Sequence, residues 1–288
     1  MFVRPFRYER AGTVADACEM LRSYGDEGRL LAGGQSLLPM VNAGLLECRA
    51  VIDISRLEGL SEITDIDPDG FLHVGALATH AQLARDETLQ RHQPLAAEAA
   101  RHIGNSRVRN RGTLGGSLAH ADPAAELPLV MTALGAVVSV TDGRSLRTIP
   151  AEELPLSFLS TQLAPDEVVT GVRIPALGAG WGWSFVELSR RTGDFAVAAV
   201  AVLLRTGDGA VVEARVGVGA VGERPVRLGA LEVALSGAGR KDLPGRVRTL
   251  EGINPPSDSN ATAEYRRLVL PVLLRRALDE AYARSEAA

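Results

Sequence analysis

The chain has 288 residues, room for two domains, with 46% apolar residues, 23% charged residues and a net charge of −4; this is ordinary globular composition and speaks against non-specific nucleic-acid binding. No stretch approaches the roughly 18–20 apolar residues of a membrane span. Met1-Phe2-Val3-Arg4-Pro5 lacks the basic region and apolar run of a signal peptide, and Cys18 and Cys48 are too few for a four-cysteine iron–sulfur or zinc site, so a reduced, cytoplasmic setting is expected.

In chain order, Thr13-Val14-Ala15-Asp16 reads as a capped helix start. Val14, Ala17, Cys18 and Leu21 share one face, which makes Cys18 a buried structural thiol. Arg29 to Ala32 is a short buried strand entering Gly33-Gly34. Ser36 to Leu45 is a short helix, and Val51 to Ile54 a strand in which Asp53 serves a turn. The turn Asp67-Pro68-Asp69-Gly70 precedes a strand from Phe71 to Ala76. Thr79 caps a helix, and Pro94 to Ile103 is another. Asn105 to Gly112 is expected to be a basic loop. Its Arg107, Arg109 and Arg111 suit a phosphate, a partner chain or plain solvation.

Thr113 to Glu126 is the organising stretch. Gly115 and Gly116 predict a tight turn with positive φ and close backbone approach. Free N–H groups in such a turn bind anionic oxygens. Asp122 and Pro123 predict an N-cap and first position of a helix whose first turn carries Glu126. Gly33-Gly34 echoes this turn, so the two are positioned to grip one ligand from two sides. A hairpin about Asp142-Gly143 follows, then a strand from Val168 to Ile174 and a linker at Gly178-Ala179-Gly180. Beyond it, Trp183–Leu188, Ala196–Leu204 and Val211–Val218 predict an antiparallel sheet. Helices are expected near Leu228–Leu235 and Ala263–Ala283, the last burying Leu270, Leu273, Leu274 and Leu278.

His73, His80, His92, His102 and His120 show no metal-ligand spacing. There is no G-x-S-x-G elbow, no P-loop and no G-x-G-x-x-G after a strand. Two glycine turns with few acid–base groups suit a site that holds a cofactor through backbone and leaves the chemistry to it. Turns needed only for packing read equally well from the residues alone.

Arg109-Asn110-Arg111-Gly112-Thr113-Leu114-Gly115-Gly116-Ser117-Leu118-Ala119-His120-Ala121-Asp122-Pro123-Ala124-Ala125-Glu126 resembles the FAD-binding subunits of the molybdenum hydroxylases. These comprise the medium subunit of CO dehydrogenase and its relatives in xanthine and nicotine dehydrogenases. Ala32-Gly33-Gly34-Gln35-Ser36-Leu37-Leu38-Pro39 is similar to their first flavin loop, and Arg190 to Ala196 to a segment early in their C-terminal domain. The resemblance spans essentially the whole chain. It implies an α+β protein: a PCMH-type FAD-binding domain of two α/β subdomains over residues 1–176, then a C-terminal domain over 177–288 with a three-stranded antiparallel sheet and helices. It implies an oxidoreductase subunit that passes electrons from 2Fe–2S clusters through FAD to an external acceptor. The molybdenum cofactor belongs to a large partner subunit and the clusters to a small one, in a dimer of heterotrimers. The complex is expected in the cytoplasm or at the inner face of the membrane, with substrate and acceptor (quinone, cytochrome, oxygen or NAD) left open.

Carried over residue by residue, the resemblance implies that Leu31, Ala32, Gly33, Gly34, Gln35, Ser36 and Leu37 wrap the diphosphate and ribityl region. Thr113, Gly115, Gly116 and Ser117 form a second wall, with Ser117 standing where many relatives carry Asn. Glu126 lies near the sugar portion, or else only stabilises its helix. Val168 and Val169 lie near the isoalloxazine, or else fill a sheet core. FAD is expected to be non-covalent, with His120 the nearby side chain to watch. A lysine near the flavin in some relatives has no counterpart at Val186 or Glu187. Neither catalytic side chains nor metal ligands are assigned to this chain. Two other readings are a stand-alone PCMH-type flavin oxidase and an assembly subunit without FAD; the intact glycine pairs argue against the second.

Overall fold

The computed structural model describes residues 5–248, 250 and 253–288. Its first unit is a small parallel sheet of order β1-β3-β2, with β1 at Arg7–Arg10, β2 at Gly28–Leu31 and β3 at Ala50–Asp53. Helix α1, Val14–Tyr24, is capped by Thr13, whose hydroxyl accepts from the Asp16 N–H at 3.1 Å. It buries Ala17, Cys18 and Leu21 on this sheet. Desolvation pushes the Cys18 thiol pKa up, as expected of a structural thiol. Asp53 serves a turn by accepting from the Ser55 N–H at 2.8 Å. Helix α2, Leu37–Asn42, is shorter than the expected 36–45 span, ending at Ala43 before the left-handed Gly44.

The second unit is an antiparallel sheet of order β4-β9-β5-β6: β4 at Phe71–Gly75, β5 at Val137–Thr141, β6 at Leu146–Pro150 and β9 at Val168–Pro175. A two-stranded ribbon, β7 at Pro155–Ser157 and β8 at Ser160–Thr161, lies before β9. Helices α3, His80–Arg85, α4, Glu87–His92, and α5, Pro94–His102, pack over the sheet. The capping box of Thr79 and Gln82 starts α3.

Two expectations fail here. The basic segment is not a loop: Ser106–Arg109 is a helical turn, α6, because the Asn105 side chain accepts from the N–H groups of Arg107 and Val108. Gly115 and Gly116 are not a positive-φ turn either. They lie inside helix α7, Leu114–His120, started by the Thr113 hydroxyl accepting from the Gly116 N–H at 3.1 Å. The cap and the close packing of Gly115 offset glycine's poor helix propensity of about 1 kcal/mol per residue. Consequently the Asp122 helix start moves. Ala121 turns left-handed at φ 51°, the Asp122 side chain accepts from the Ala124 N–H instead of capping a helix, and α8 runs from Glu126 to Leu134.

The C-terminal unit is a meander of β10, Trp181–Ser189, β11, Ala196–Gly207, and β12, Ala210–Gly219. The three-stranded expectation is corrected by a short fourth strand, β13, Val226–Arg227, paired to β12. One face of β11 packs on α5 and α8, joining the second core. The other face is covered by α9, Gly229–Leu235, α10, Leu243–Arg246, and the long α11, Ala263–Ala287. Helix α11 buries Leu270, Leu273, Leu274 and Leu278, as the spacing predicts. Buried Arg266 clamps it by donating to the carbonyls of Val197 and Ala220 and pairing with Asp258 at 2.6 Å. Among the described residues, no helix is long and apolar enough to cross a membrane.

Candidate functional site

Strand β2 ends at Leu31 and releases Ala32 to Ser36 as a turn. Gly34 holds φ at 72°, a conformation that glycine adopts without a Cβ penalty. Among the described residues, the backbone N–H groups of Gly33, Gly34, Gln35 and Ser36 donate no hydrogen bond within the chain. That is a row of free donors of the kind that receives anionic oxygens. Gln35 is exposed, and its amide donates to the Gly33 carbonyl at 3.3 Å. Leu37 begins α2.

The two glycine segments do meet. A β-carbon on Gly33 would overlap the carbonyl of Arg111 and lie 2.9 Å from the Gly112 Cα. Next to this contact stands the head of α7. Gly115 faces inward: its N–H donates to the Ala76 carbonyl at 2.8 Å, and a β-carbon there would sit 2.6 Å from that of Ala76. Gly116 faces outward and is exposed, with only the Thr113 hydroxyl near its missing side chain. Ser117 and His120 follow, both part-buried, and burial lowers the His120 pKa.

His80, which the sequence does not single out, holds this wall up. Its Nε2–H donates to the Thr113 carbonyl at 3.1 Å. Burial lowers its pKa to about 4, so the ring is neutral at pH 7. The signal was the Thr79–Gln82 capping box, which fixes His80 at the first position of α3 facing inward.

Val168 and Val169 begin β9 and point to opposite sides. Val168 packs with Cys18 and Leu77, and Val169 joins the core of the second unit. The next residue, Thr170, accepts from the Ala76 N–H at 3.0 Å, so β9 reaches Gly115 through Ala76. The third segment arrives from the C-terminal unit. Gly193, at φ 82°, packs against the Gly104 carbonyl, and Phe195 beyond it is 59% exposed. Residues 104–112 thus form a wall shared by both flanking segments.

Glu126 is the first residue of α8 and is buried. Desolvation raises its pKa to about 7, with Glu187 and Asp122 adding to the rise. It is a carboxyl that stays partly protonated at neutral pH, although a helix start favours negative charge. Among the described residues, no cluster of His, Cys, Asp or Glu is arranged to hold a metal ion.

Residues 4–177 match the family of FAD binding domains in molybdopterin dehydrogenases, and residues 183–281 match the CO dehydrogenase flavoprotein C-terminal domain. The chain belongs to this FAD-binding subunit family. It is 37% identical to the nicotine 6-hydroxylase medium subunit of Paenarthrobacter nicotinovorans, over 97% of this chain and 98% of that one. It is 32% identical to the carbon monoxide dehydrogenase medium chain of Hydrogenophaga pseudoflava, over 97% and 98%. The solved carbon monoxide dehydrogenase of H. pseudoflava superposes with a TM-score of 0.94 at 33% identity, covering 99% of both chains. Quinoline 2-oxidoreductase from Pseudomonas putida 86 gives 0.92 at 31%, covering 98% and 99%. The flavoprotein-subunit family fits the geometry. A diphosphate needs free N–H donors, which the Gly33–Ser36 turn supplies, and a flat ring needs a wall without side chains, which outward-facing Gly116 supplies.

Proposed function

We propose that this chain carries FAD as the electron outlet of a molybdenum hydroxylase complex, taking electrons from 2Fe–2S clusters on a small partner subunit. A large partner subunit holds the molybdenum cofactor and oxidises the substrate, and the heterotrimers pair into dimers in the cytoplasm or at its membrane face. The observation that carries this reading is the meeting of the donor-rich Gly33–Ser36 turn with the Arg111–Gly112 backbone beside α7. Bound FAD would accept electrons singly and release them singly or in pairs.

The chain's own residues bind and orient. Ala32 to Leu37 give the diphosphate its N–H donors, with Leu31 closing the turn beneath Gly34. Gly116 and Ser117 form the facing wall, while Thr113 and Gly115 support it from behind through the cap and through Ala76. Val168 and Val169 act at one further remove, through Thr170. Glu126 offers a partly protonated carboxyl to a sugar hydroxyl, and His120 flanks it without a covalent bond. The two domains divide at residues 176 and 177, in the extended segment between β9 and β10.

The test is flavin titration of the full chain. One equivalent of FAD should bind and be released by denaturation, with no reduction by hydroxylase substrates until both partner subunits are added. Gly116→Val should raise the Kd for FAD by more than about tenfold, equivalent to about 1.4 kcal/mol. No FAD uptake by the wild-type chain, or unchanged affinity in that variant, would overturn the reading.

A further inference from the structure

Three arginines, Arg107, Arg109 and Arg111, precede α7 in the sequence, and the structure separates them. Arg109 is part-buried and spends its guanidinium on the carbonyls of Ile103 and Gly104, at 2.8 and 2.9 Å. It braces the connection between α5 and α6. Arg107 is exposed on α6. Arg111 is exposed as well, but its backbone carbonyl is the group that meets Gly33. Among the described residues, the Arg111 side chain has no hydrogen bond and no ion pair. Its main chain, by contrast, is fixed. The Arg111 N–H donates to the Val108 carbonyl at 3.1 Å, and the carbonyl of the next residue, Gly112, accepts from the His80 N–H at 2.9 Å. A free guanidinium is thus anchored by held backbone at the turn that exposes the N–H groups of Gly33, Gly34, Gln35 and Ser36.

A doubly ionised diphosphate needs more than neutral donors. N–H groups answer it with partial charges only. The two glycine segments add no formal positive charge of their own. No charged side chain occurs between Arg29 and Glu47, and the titratable member of α7 is His120, whose pKa burial lowers. The chain as a whole carries −4, a field that opposes an incoming anion. Two other arginines of the first sheet are committed elsewhere. Arg29, on the strand that feeds the turn, donates to the carbonyls of Asp26 and Gly28. Arg10 ends β1, with β3 between it and β2, and donates to the Tyr8 hydroxyl at 3.3 Å beside Asp53.

We propose that the guanidinium of Arg111 is the cation that receives the FAD diphosphate, together with the N–H groups of the Gly33–Ser36 turn. The proposal rests on the FAD reading above. Arginine is charged at every working pH and presents paired N–H groups to phosphate oxygens, where lysine offers only a point charge. Because the main chain is already held, binding has only the Arg111 side chain to order. The three arginines thus divide: Arg109 braces the segment, Arg111 binds, and Arg107 stays in solvent.

The test is FAD titration of the full chain, followed by flavin fluorescence at low and high salt. Arg111→Gln should raise the Kd for FAD about tenfold, the effect of losing one charge-assisted hydrogen bond. It should also flatten the salt dependence of the Kd, because the interaction removed is the one that dissolved ions screen. The melting temperature of the FAD-free chain should stay at the wild-type value, since the side chain has no partner within the chain to lose. Arg111→Lys should recover the salt dependence and part of the affinity. Arg107→Gln removes the same charge from the same segment and should leave the Kd within about twofold of wild type, as screening of an exposed charge allows. Wild-type affinity or an unchanged salt slope in Arg111→Gln, or equal losses in Arg111→Gln and Arg107→Gln, would overturn the role given to Arg111 while leaving FAD binding intact. A wild-type chain that takes up no FAD overturns the underlying reading instead, so the wild-type titration tells the two failures apart.

Discussion

Gly33 packs its α-carbon against the carbonyl of Arg111, so two segments far apart in sequence meet backbone to backbone at the proposed cofactor site. Neither partner can move cheaply, because Gly112 donates to the Val108 carbonyl at 2.7 Å and the Gly112 carbonyl accepts from the His80 N–H at 2.9 Å. Gly33→Ala should therefore cost about 1–3 kcal/mol, the usual range for overpacking, and sharply reduce bound flavin. Gly59→Ala provides the comparison. Gly59 has open space around it and, unlike Gly33, positive φ at 76°, so Gly59→Ala should lose only about 1–2 kcal/mol from the left-handed backbone and keep its FAD. Chemical denaturation and flavin content read both variants. Equal flavin loss in the two would mean that the Gly33 contact is incidental.

The Thr113 hydroxyl caps a helix weakened by two glycines. Thr113→Ala should cost about 1 kcal/mol and loosen FAD, because the frayed turn contains Gly116. Thr113→Ser keeps the acceptor oxygen and should restore both properties. Melting temperature and FAD affinity measured on the pair decide the point; a serine variant as weak as the alanine would show that the methyl group, not the cap, matters.

Much of this was legible in the sequence. The caps at Thr13 and Thr79, the hairpin about Asp142, the meander after Gly180 and the buried face of α11 follow from local chemistry and periodicity. What misled was competition between local signals. Gly115-Gly116 and Asp122-Pro123 both punctuate a chain, and the expected turn and helix start lost to the Thr113 cap. That cap pays off only because Ala76, on another element, accepts the close approach of Gly115. Asn105 likewise turns a basic loop into a helical turn. The support of Thr113 by His80 joins residues from different elements, so no spacing in the sequence announces it.

His80 should contribute an acid-sensitive slope to the chain's stability. Burial lowers its pKa from 6.5 to about 4, so between these values the unfolded chain takes up a proton that the folded chain refuses. Stability is complete above pH 6.5 and falls as pH drops toward 4, by on the order of 3 kcal/mol from this group. In His80→Gln, which has no charge to gain, that part of the acid slope should vanish. Urea midpoints from pH 7 to 4 measure it, and an unchanged slope would assign acid sensitivity elsewhere.

Glu126 acts in the opposite direction. Its pKa rises from 4.5 to about 7 on folding, so between these values the unfolded chain releases a proton that the folded chain keeps. Stability is complete below pH 4.5, falls as pH rises toward 7 and then levels off, a loss on the order of 3 kcal/mol. Glu126→Gln keeps the shape and a neutral donor. Its FAD-free form should be more stable than wild type at pH 8 and no different at pH 4.5. Because His80 and Glu126 tilt the curve in opposite senses across nearly the same pH window, the wild-type chain should look flat there. Each single variant should expose the slope of the other residue: rising with pH in Glu126→Gln, falling in His80→Gln. Parallel curves for the two variants would show that burial in the folded chain does not hold these groups neutral.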